Sequence, residues 1–365
     1  GAARGDASRL AAQQGLRAAL EPPRLRLLTN FNAVPEGVKF LVDMRADLLP
    51  LVKDDPAMGA LDADLQGLLA GWFDVGFLDL ERITWNAPAA LLEKLIAYEA
   101  VHRIRSWTDL KNRLDSDRRC YAFFHPRMPD EPLIFVEVAL VNGMAANVQA
   151  LLDEQAPAMD PATADSAIFY SISNCQRGLS GVSFGNFLIK RVVDALKRDL
   201  PRVETFATLS PIPGFRAWLD PLLAQSPEDL ITPREAGEFA AAAGGGSLSG
   251  PAAMAALLER PDWPGDETVA VALRGPLLRL GARYLLREKR ESRARDRVCH
   301  FHLSNGARVG RLNWLGDVSA SGLAQSAGLM VNYHYKLDEI EANHEAYTGA
   351  GTIAAASAVS RLVKP

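Results

Sequence analysis

Between Ala167 and Leu209 the chain reads as strand, glycine-rich loop, amphipathic helix and strand, and few folds accommodate that order. Ala167–Ser173 is a run of β-formers, the segment from Gln176 to Gly185 holds three glycines, Phe187–Leu200 has helical periodicity, and Thr205–Leu209 is β-rich again. Two strands joined through a crossover helix are parallel neighbours. Tyr121–Phe124 and Leu133–Leu140 are further strand runs, separated by the proline-rich turn 125–132. Two strands joined by that turn are the simplest reading.

The residues upstream read differently. Val38, Leu41, Val42, Leu48 and Leu49 recur at helical spacing behind Pro35, which is suited to a first helical position. Further helices are predicted over Met58–Trp72 and Ala89–His102, and packing explains their apolar stripes. The abrupt first helix at Gly1 suggests that more helix precedes it. Residues 225–265, rich in Ala, Gly and Pro, read as helical turns around a surface loop. Later, Asn305-Gly306 between Val298–Leu303 and Ala307–Trp314 predicts a two-residue hairpin, followed by a helix over Ser319–Val331 and a segment at Asn332–Leu337.

Composition narrows function by exclusion. A formal net charge of −4 gives no general attraction to nucleic acid or anionic membrane. No apolar run approaches the roughly 20 residues that span a bilayer, and the N-terminus lacks a secretory pattern. Cys120, Cys175 and Cys299 are too few and too scattered for a disulfide framework or a zinc site, and read as small buried residues in a reducing cytosol.

Three places carry candidate chemistry. The loop Gln176, Arg177, Gly178, Leu179, Ser180, Gly181, Val182, Ser183, Phe184, Gly185 can turn several N–H groups into one space at a helix N-terminus, which suits a phosphate or pyrophosphate. It lacks the Lys-Ser/Thr of a P-loop and the Gly-x-Gly-x-x-Gly of a dinucleotide fold, and purely structural glycines are the competing reading. Ser210 lies just beyond the carboxyl end of a parallel strand, where ligands bind, in a turn stiffened by Pro211 and Pro213. Its plainer role is to cap the helix starting near Gly214. His300 and His302, on one face of the expected hairpin strand, suggest a metal pair lacking a third ligand or one histidine working with a hydroxyl, although taken alone a half-buried histidine bonded to a neighbouring strand is the favoured reading.

Taken in order, a set of segments resembles the malonyl-CoA decarboxylase family. They are Phe169-Tyr170-Ser171-Ile172-Ser173, the glycine loop with Phe187–Val193, Leu209-Ser210-Pro211-Ile212-Pro213-Gly214-Phe215, Phe301-His302-Leu303-Ser304-Asn305-Gly306-Ala307, and Asn313-Trp314 through Tyr335. Leu80–Trp85, Glu99-Ala100-Val101-His102 and Cys120-Tyr121 extend the match upstream. The resemblance implies an α+β protein: a helical N-terminal domain (residues 1–71) that assembles subunits, then an acetyltransferase-like (GNAT) catalytic domain (residues 72–365) with a mixed sheet. It implies a lyase that converts malonyl-CoA to acetyl-CoA and carbon dioxide in fatty acid metabolism, with no metal or separate cofactor, and the Ala- and Arg-rich composition without a Ser-Lys-Leu peroxisomal address suggests a bacterial, cytoplasmic enzyme. A homo-oligomer is expected, a tetramer being compatible. Carried over by motif, Ser210 and His302 are the catalytic pair, Ser171 and Tyr335 further active-site positions, and Gln176–Ser183 with Gly185 the coenzyme A loop. Some relatives have an acidic residue where this chain has Ser183.

The expected chemistry follows from the substrate. Loss of carbon dioxide leaves electrons that the thioester carbonyl accepts as an enolate, so the site must stabilise an oxyanion and deliver one proton to carbon. His302, with a pKa near neutral, is expected to donate toward the enolate directly or through Ser210, with backbone N–H groups near Ser173 assisting. An acyl-CoA N-acyltransferase, a non-catalytic malonyl-CoA sensor and a metal-dependent decarboxylase are the competing readings.

Overall fold

The computed structural model describes residues 2–182, 188–227, 230–245 and 248–363. Four helices come first: α1 (Ala2–Leu20), α2 (Pro23–Asn30), α3 (Gly37–Leu48) and α4 (Pro56–Trp72). Pro35 lies outside α3, because Glu36 occupies the N-cap. The next elements are β1 (Asp79–Ile83), α5 (Ala89–Tyr98), α6 (Trp107–Arg113), β2 (Arg118–Phe124), β3 (Ile134–Val141), α7 (Val148–Leu151) and β4 (Ser166–Asn174). After the glycine loop come α8 (Leu188–Asp199), β5 (Thr205–Thr208) and β6 (Ser210–Pro211).

A helical layer then intervenes: α9 (Phe215–Gln225), α10 (Pro233–Ala242), α11 (Gly250–Leu258) and α12 (Glu267–Leu286). Within residues 225–265 the expected helical turns are two helices, α10, which opens on a capping box of Thr232 and Glu235, and α11, and the Ala-Gly run ends α10. The chain finishes with β7 (Lys289–Arg290), β8 (Arg293–Ala294), α13 (Arg297–Ser304), β9 (Arg308–Asn313), α14 (Ala320–Ser326), β10 (Met330–His334), α15 (Ile340–Ala350) and α16 (Ser357–Leu362).

Two expectations fail here. The segment read as the first hairpin strand is helix α13, started by Asp296, whose side chain accepts from Val298 N and Cys299 N. The helix expected over Ser319–Val331 ends at Ser326, because Ala327 and Gly328 both take positive φ and release the chain into strand β10.

The main sheet has the order β1-β2-β3-β4-β5-β10-β6, with β9 on β10. Its pairs are antiparallel except β4 with β5, the one made by the crossover through α8. This is the mixed sheet of an α+β domain. Both faces are covered, so β2 is buried along its whole length. Tyr121 and Phe123 face a core that includes Val38, Val42, Leu69 and Phe73 from the N-terminal helices. Cys120, Ala122 and Phe124 face α5 through Leu91, Leu92 and Leu95.

One irregularity positions the site. β4 and β5 pair from Ser166/Thr205 to Phe169/Thr208, and Leu209 N still donates to the Phe169 carbonyl. Tyr170 then enters β4 as a bulge residue, because Glu137 pairs with Ser171 and Val138 with Phe169. Beyond it β4 stays with β3, whereas Ser210 and Pro211 pair with β10. The two parallel strands part at their carboxyl ends and leave a wedge.

Candidate active site

The wedge opens into a cavity of about 1800 Å³, walled by Tyr170, Ile172 and Asn174 on one side and Ser210, Pro211 and His302 on the other. This is where open sheets bind ligands, beyond the carboxyl ends of parallel strands.

Ser210, His302 and Tyr335 form one hydrogen-bonded chain. Ser210 Oγ lies 3.2 Å from His302 Nε2, and His302 Nδ1 lies 2.8 Å from the Tyr335 hydroxyl. Ser210 Oγ donates to Thr208 Oγ1 at 2.8 Å, and Thr208 Oγ1 also accepts from Tyr333 N. The buried Tyr335 phenol must place its proton somewhere, and Nδ1 is the acceptor it meets. The ring proton is then on Nε2, so the chain donates in one direction: Tyr335 to His302 to Ser210 to Thr208. His302 also stacks on Tyr333, with ring centroids 4.5 Å apart.

Burial decides the protonation state of His302. It is 2% exposed, and burial pushes its pKa down to about 3, with no carboxylate in the chain to oppose the shift. The near-neutral pKa expected from sequence is therefore overturned. A neutral imidazole backed by a phenol is a weak base, and it presents Ser210 with an N–H donor.

Ser210 does not cap the following helix: α9 has Gly214 at its N-cap and receives no side-chain capping bond. The link between the Ser210 turn and α13 runs through Asp296 instead. One carboxylate oxygen caps α13, and the other accepts from Gly214 N at 3.2 Å. Asp296 thus fixes the start of the His302 helix against the turn that carries Ser210. No motif marks it in the sequence, although an Asp before an apolar helical run is a capping signal.

His300 is not a second ligand beside His302. Two positions along an α-helix differ by about 200°, and His300 Nδ1 turns to the Tyr347 hydroxyl at 2.8 Å. Ser171 belongs to a neighbouring network. Its Oγ is 2.8 Å from each oxygen of Glu99, which also accepts from Ser173 Oγ and from Val101 N and His102 N. Glu99 lines the same cavity, and the sequence reading gave it no role. Cys120, Cys175 and Cys299 are free and buried, and burial raises each thiol.

The described part of the glycine loop, Gln176–Val182, contains a short 3-10 turn at Arg177–Leu179, and Gly181 takes φ +76°. Gln176 Nε2 donates to the Pro132 carbonyl at 3.0 Å, and Arg177 Nη2 reaches the Ala46 carbonyl at 3.2 Å. Gly178, Leu179 and Val182 are buried, whereas Ser180 and Gly181 are exposed. Ser183 and Gly185, also expected at this site, lie outside the described residues.

Residues 2–73 match the malonyl-CoA decarboxylase N-terminal domain and residues 76–365 the malonyl-CoA decarboxylase C-terminal domain. The chain is 41% identical to the mitochondrial malonyl-CoA decarboxylase of Rattus norvegicus, over 97% of this chain and 74% of that protein. For the corresponding protein of Anser anser anser the identity is 40%, over 97% of this chain and 72% of that protein. The crystal structure of malonyl-CoA decarboxylase from Rhodopseudomonas palustris superposes with a TM-score of 0.87 at 47% identity, covering 99% of this chain and 84% of that one. That from Agrobacterium vitis gives 0.88 at 45% identity, covering 97% and 83%. The chain belongs to the malonyl-CoA decarboxylase family.

Proposed function

We infer that the protein decarboxylates malonyl-CoA to acetyl-CoA and carbon dioxide, and that Ser210 and His302 do the work at the acyl group. The observation that carries the catalytic assignment is the hydrogen-bonded chain of Tyr335, His302 and Ser210 at the wall of the cavity, whose donors, by the argument above, all point toward Ser210. Serine nucleophiles need a base behind them, and a neutral imidazole whose pKa lies near 3 is a poor one. A donor chain suits an enolate, which gains negative charge on oxygen as the carbon–carbon bond breaks.

In this scheme the thioester carbonyl displaces Thr208 as the acceptor for Ser210. The bond to the carboxylate breaks, its electrons move into the thioester enolate, and carbon dioxide leaves. The α-carbon takes a proton from Ser210 Oγ, and cavity water returns one. His302 Nε2–H holds Ser210 in line throughout. The splayed edge of β4 near Tyr170 and Ile172 offers backbone N–H groups to the same oxygen. Pro211, Pro213, Val298 and Phe301 line the cavity and help to strip water from the departing carboxylate. The substrate's own thioester is the electron sink, so the reaction asks for no metal or separate cofactor. Coenzyme A forms part of the substrate, and its pyrophosphate is assigned to the loop that starts at Gln176.

Two broader features complete the reading. Leu10, Leu16, Leu20, Leu27 and Phe40 are exposed on the N-terminal helices, which supports a homo-oligomer assembled through this region. Free, buried cysteines suit a reducing compartment such as the cytoplasm.

Release of carbon dioxide and acetyl-CoA from malonyl-CoA, measured with a chelator present, tests the reaction, and His302→Asn tests the site. Removing one such donor typically lowers kcat about 10²–10³-fold. Turnover by the parent that survives intact in the variant would remove His302 from the scheme. Acetyl transfer to amines without carbon dioxide release would replace the decarboxylase with a transferase.

A further inference from the structure

The backbone carbonyls of the glycine loop are held from outside the catalytic domain. Arg45, on α3, is 2% exposed, and its Nη1 donates to Gly178 O at 2.6 Å and Ser180 O at 2.8 Å. Its Nε donates to Asp62 Oδ1 on α4 at 2.7 Å, which fixes the guanidinium plane. Gln66, one helical turn further along α4, gives Nε2 to Gly181 O at 2.8 Å. Three loop carbonyls are thus tied to two N-terminal helices. The contact is close enough that Gly178 has no room for a side chain, because a Cβ there would run into the Val42 carbonyl.

A buried arginine spent on backbone carbonyls needs a reason. In a trans peptide the C=O and the next N–H point in opposite directions. Holding Ser180 O against α3 therefore turns Gly181 N–H the other way. Leu179 N and Val182 N close the turn on Gln176 O and Leu179 O, whereas Gly181 N–H takes no part in that turn and, on an exposed residue, can meet a ligand. Anion recognition by backbone depends on such orientation, which a glycine loop cannot maintain by itself.

We propose that Arg45 is a positioning residue for the substrate: from the N-terminal helices it fixes loop 176–182, so that this helical region sets the affinity for the pyrophosphate half of malonyl-CoA. The inference rests on assigning that loop to coenzyme A. It gives the helical region a role in catalysis that is separate from subunit assembly.

The test compares malonyl-CoA with malonyl-pantetheine, which keeps the thioester and lacks the nucleotide and pyrophosphate. Arg45→Met keeps the buried stem and removes every donor. It should raise KM for malonyl-CoA about tenfold, the scale at which lost supporting hydrogen bonds weaken a ligand site. On malonyl-pantetheine, kcat/KM should stay within about twofold. Arg45→Lys, a point donor unable to span both carbonyls, should fall between parent and Arg45→Met.

Equal losses on the two thioesters would mean that Arg45 only supports the fold and would overturn the proposal, as would an unchanged KM for malonyl-CoA. If Arg45→Met fails to fold, Gln66→Leu decides the matter: a smaller rise confined to malonyl-CoA supports the clamp, and no rise sinks it. Calorimetric binding of coenzyme A itself separates this proposal from the reaction. Weaker binding in the variants, beside a parent that releases no carbon dioxide, would keep the clamp and reject the decarboxylase.

Discussion

At the scale of single residues, His302 shows what a sequence conceals. The ordered motifs brought Ser210, His302 and Tyr335 into one site, and the hydrogen bonds join them. The charge state was illegible because it depends on burial, which no local pattern records. That state makes a prediction. Folding takes His302 from an ordinary pKa near 6.5 to about 3. Between those values the unfolded chain holds a proton there and the native chain does not. Stability is therefore fully present above about pH 6.5 and declines by about 1.4 kcal/mol per unit as pH falls toward 3. Replacing His302 with Gln removes this slope. Urea midpoints measured from about pH 7 to about pH 4.5 should fall more steeply for the parent than for His302→Gln. Parallel curves would mean that the imidazole titrates as though exposed. Thr208, Glu99 and Asp296 were missed for a related reason: each acts through a partner that only the tertiary fold brings near.

At the scale of elements, Asn305-Gly306 closes a helix and not a hairpin. An Asn-Gly pair between apolar runs is a strong hairpin signal, yet the same residues end helices. Here Gly306 N donates to Leu303 O and Ala307 N to His302 O, the paired bonds of a Schellman cap. The cap binds the carbonyl of His302 itself, so the end of α13 and the imidazole beside Ser210 are fixed together. Gly306 has φ +82°, and a Cβ would collide with Ile340 O. Gly306→Ala should cost about 2–3 kcal/mol and lower kcat by shifting α13. Asn tolerates positive φ but carries the same Cβ, so Gly306→Asn should fare no better, whereas an open hairpin turn would accept it. Denaturant midpoints for the two variants distinguish these outcomes. The β4–loop–α8–β5 unit was legible because its length and periodicity left one topology. The splay at Tyr170, which makes the wedge, comes from one bulge residue with no signature.

At the scale of the molecule, the helical region and the sheet share more than a boundary. Val38, Val42, Leu69 and Phe73 sit in the same apolar cluster as Phe123, Val136 and Leu179. Phe73 has no exposed surface, packs on His125 with ring centroids 4.7 Å apart, and lies where α4 hands over to the sheet. An apolar residue shared in this way couples the two parts, because neither keeps a closed core once the other opens. The coupling was invisible in the sequence, since α3 and α4 show apolar stripes but not what covers them. It predicts one transition: heat should melt the helical signal, tryptophan fluorescence and coenzyme A binding together. Phe73→Ala should destabilise the whole chain by about 3–5 kcal/mol, as for other buried phenylalanines, and leave that coincidence intact. Two separated transitions, with only the helical one moved by Phe73→Ala, would mean that the helices unfold on their own. The loop that Arg45 clamps would then lose its support before the catalytic sheet opens, and binding of coenzyme A would fail with the first transition.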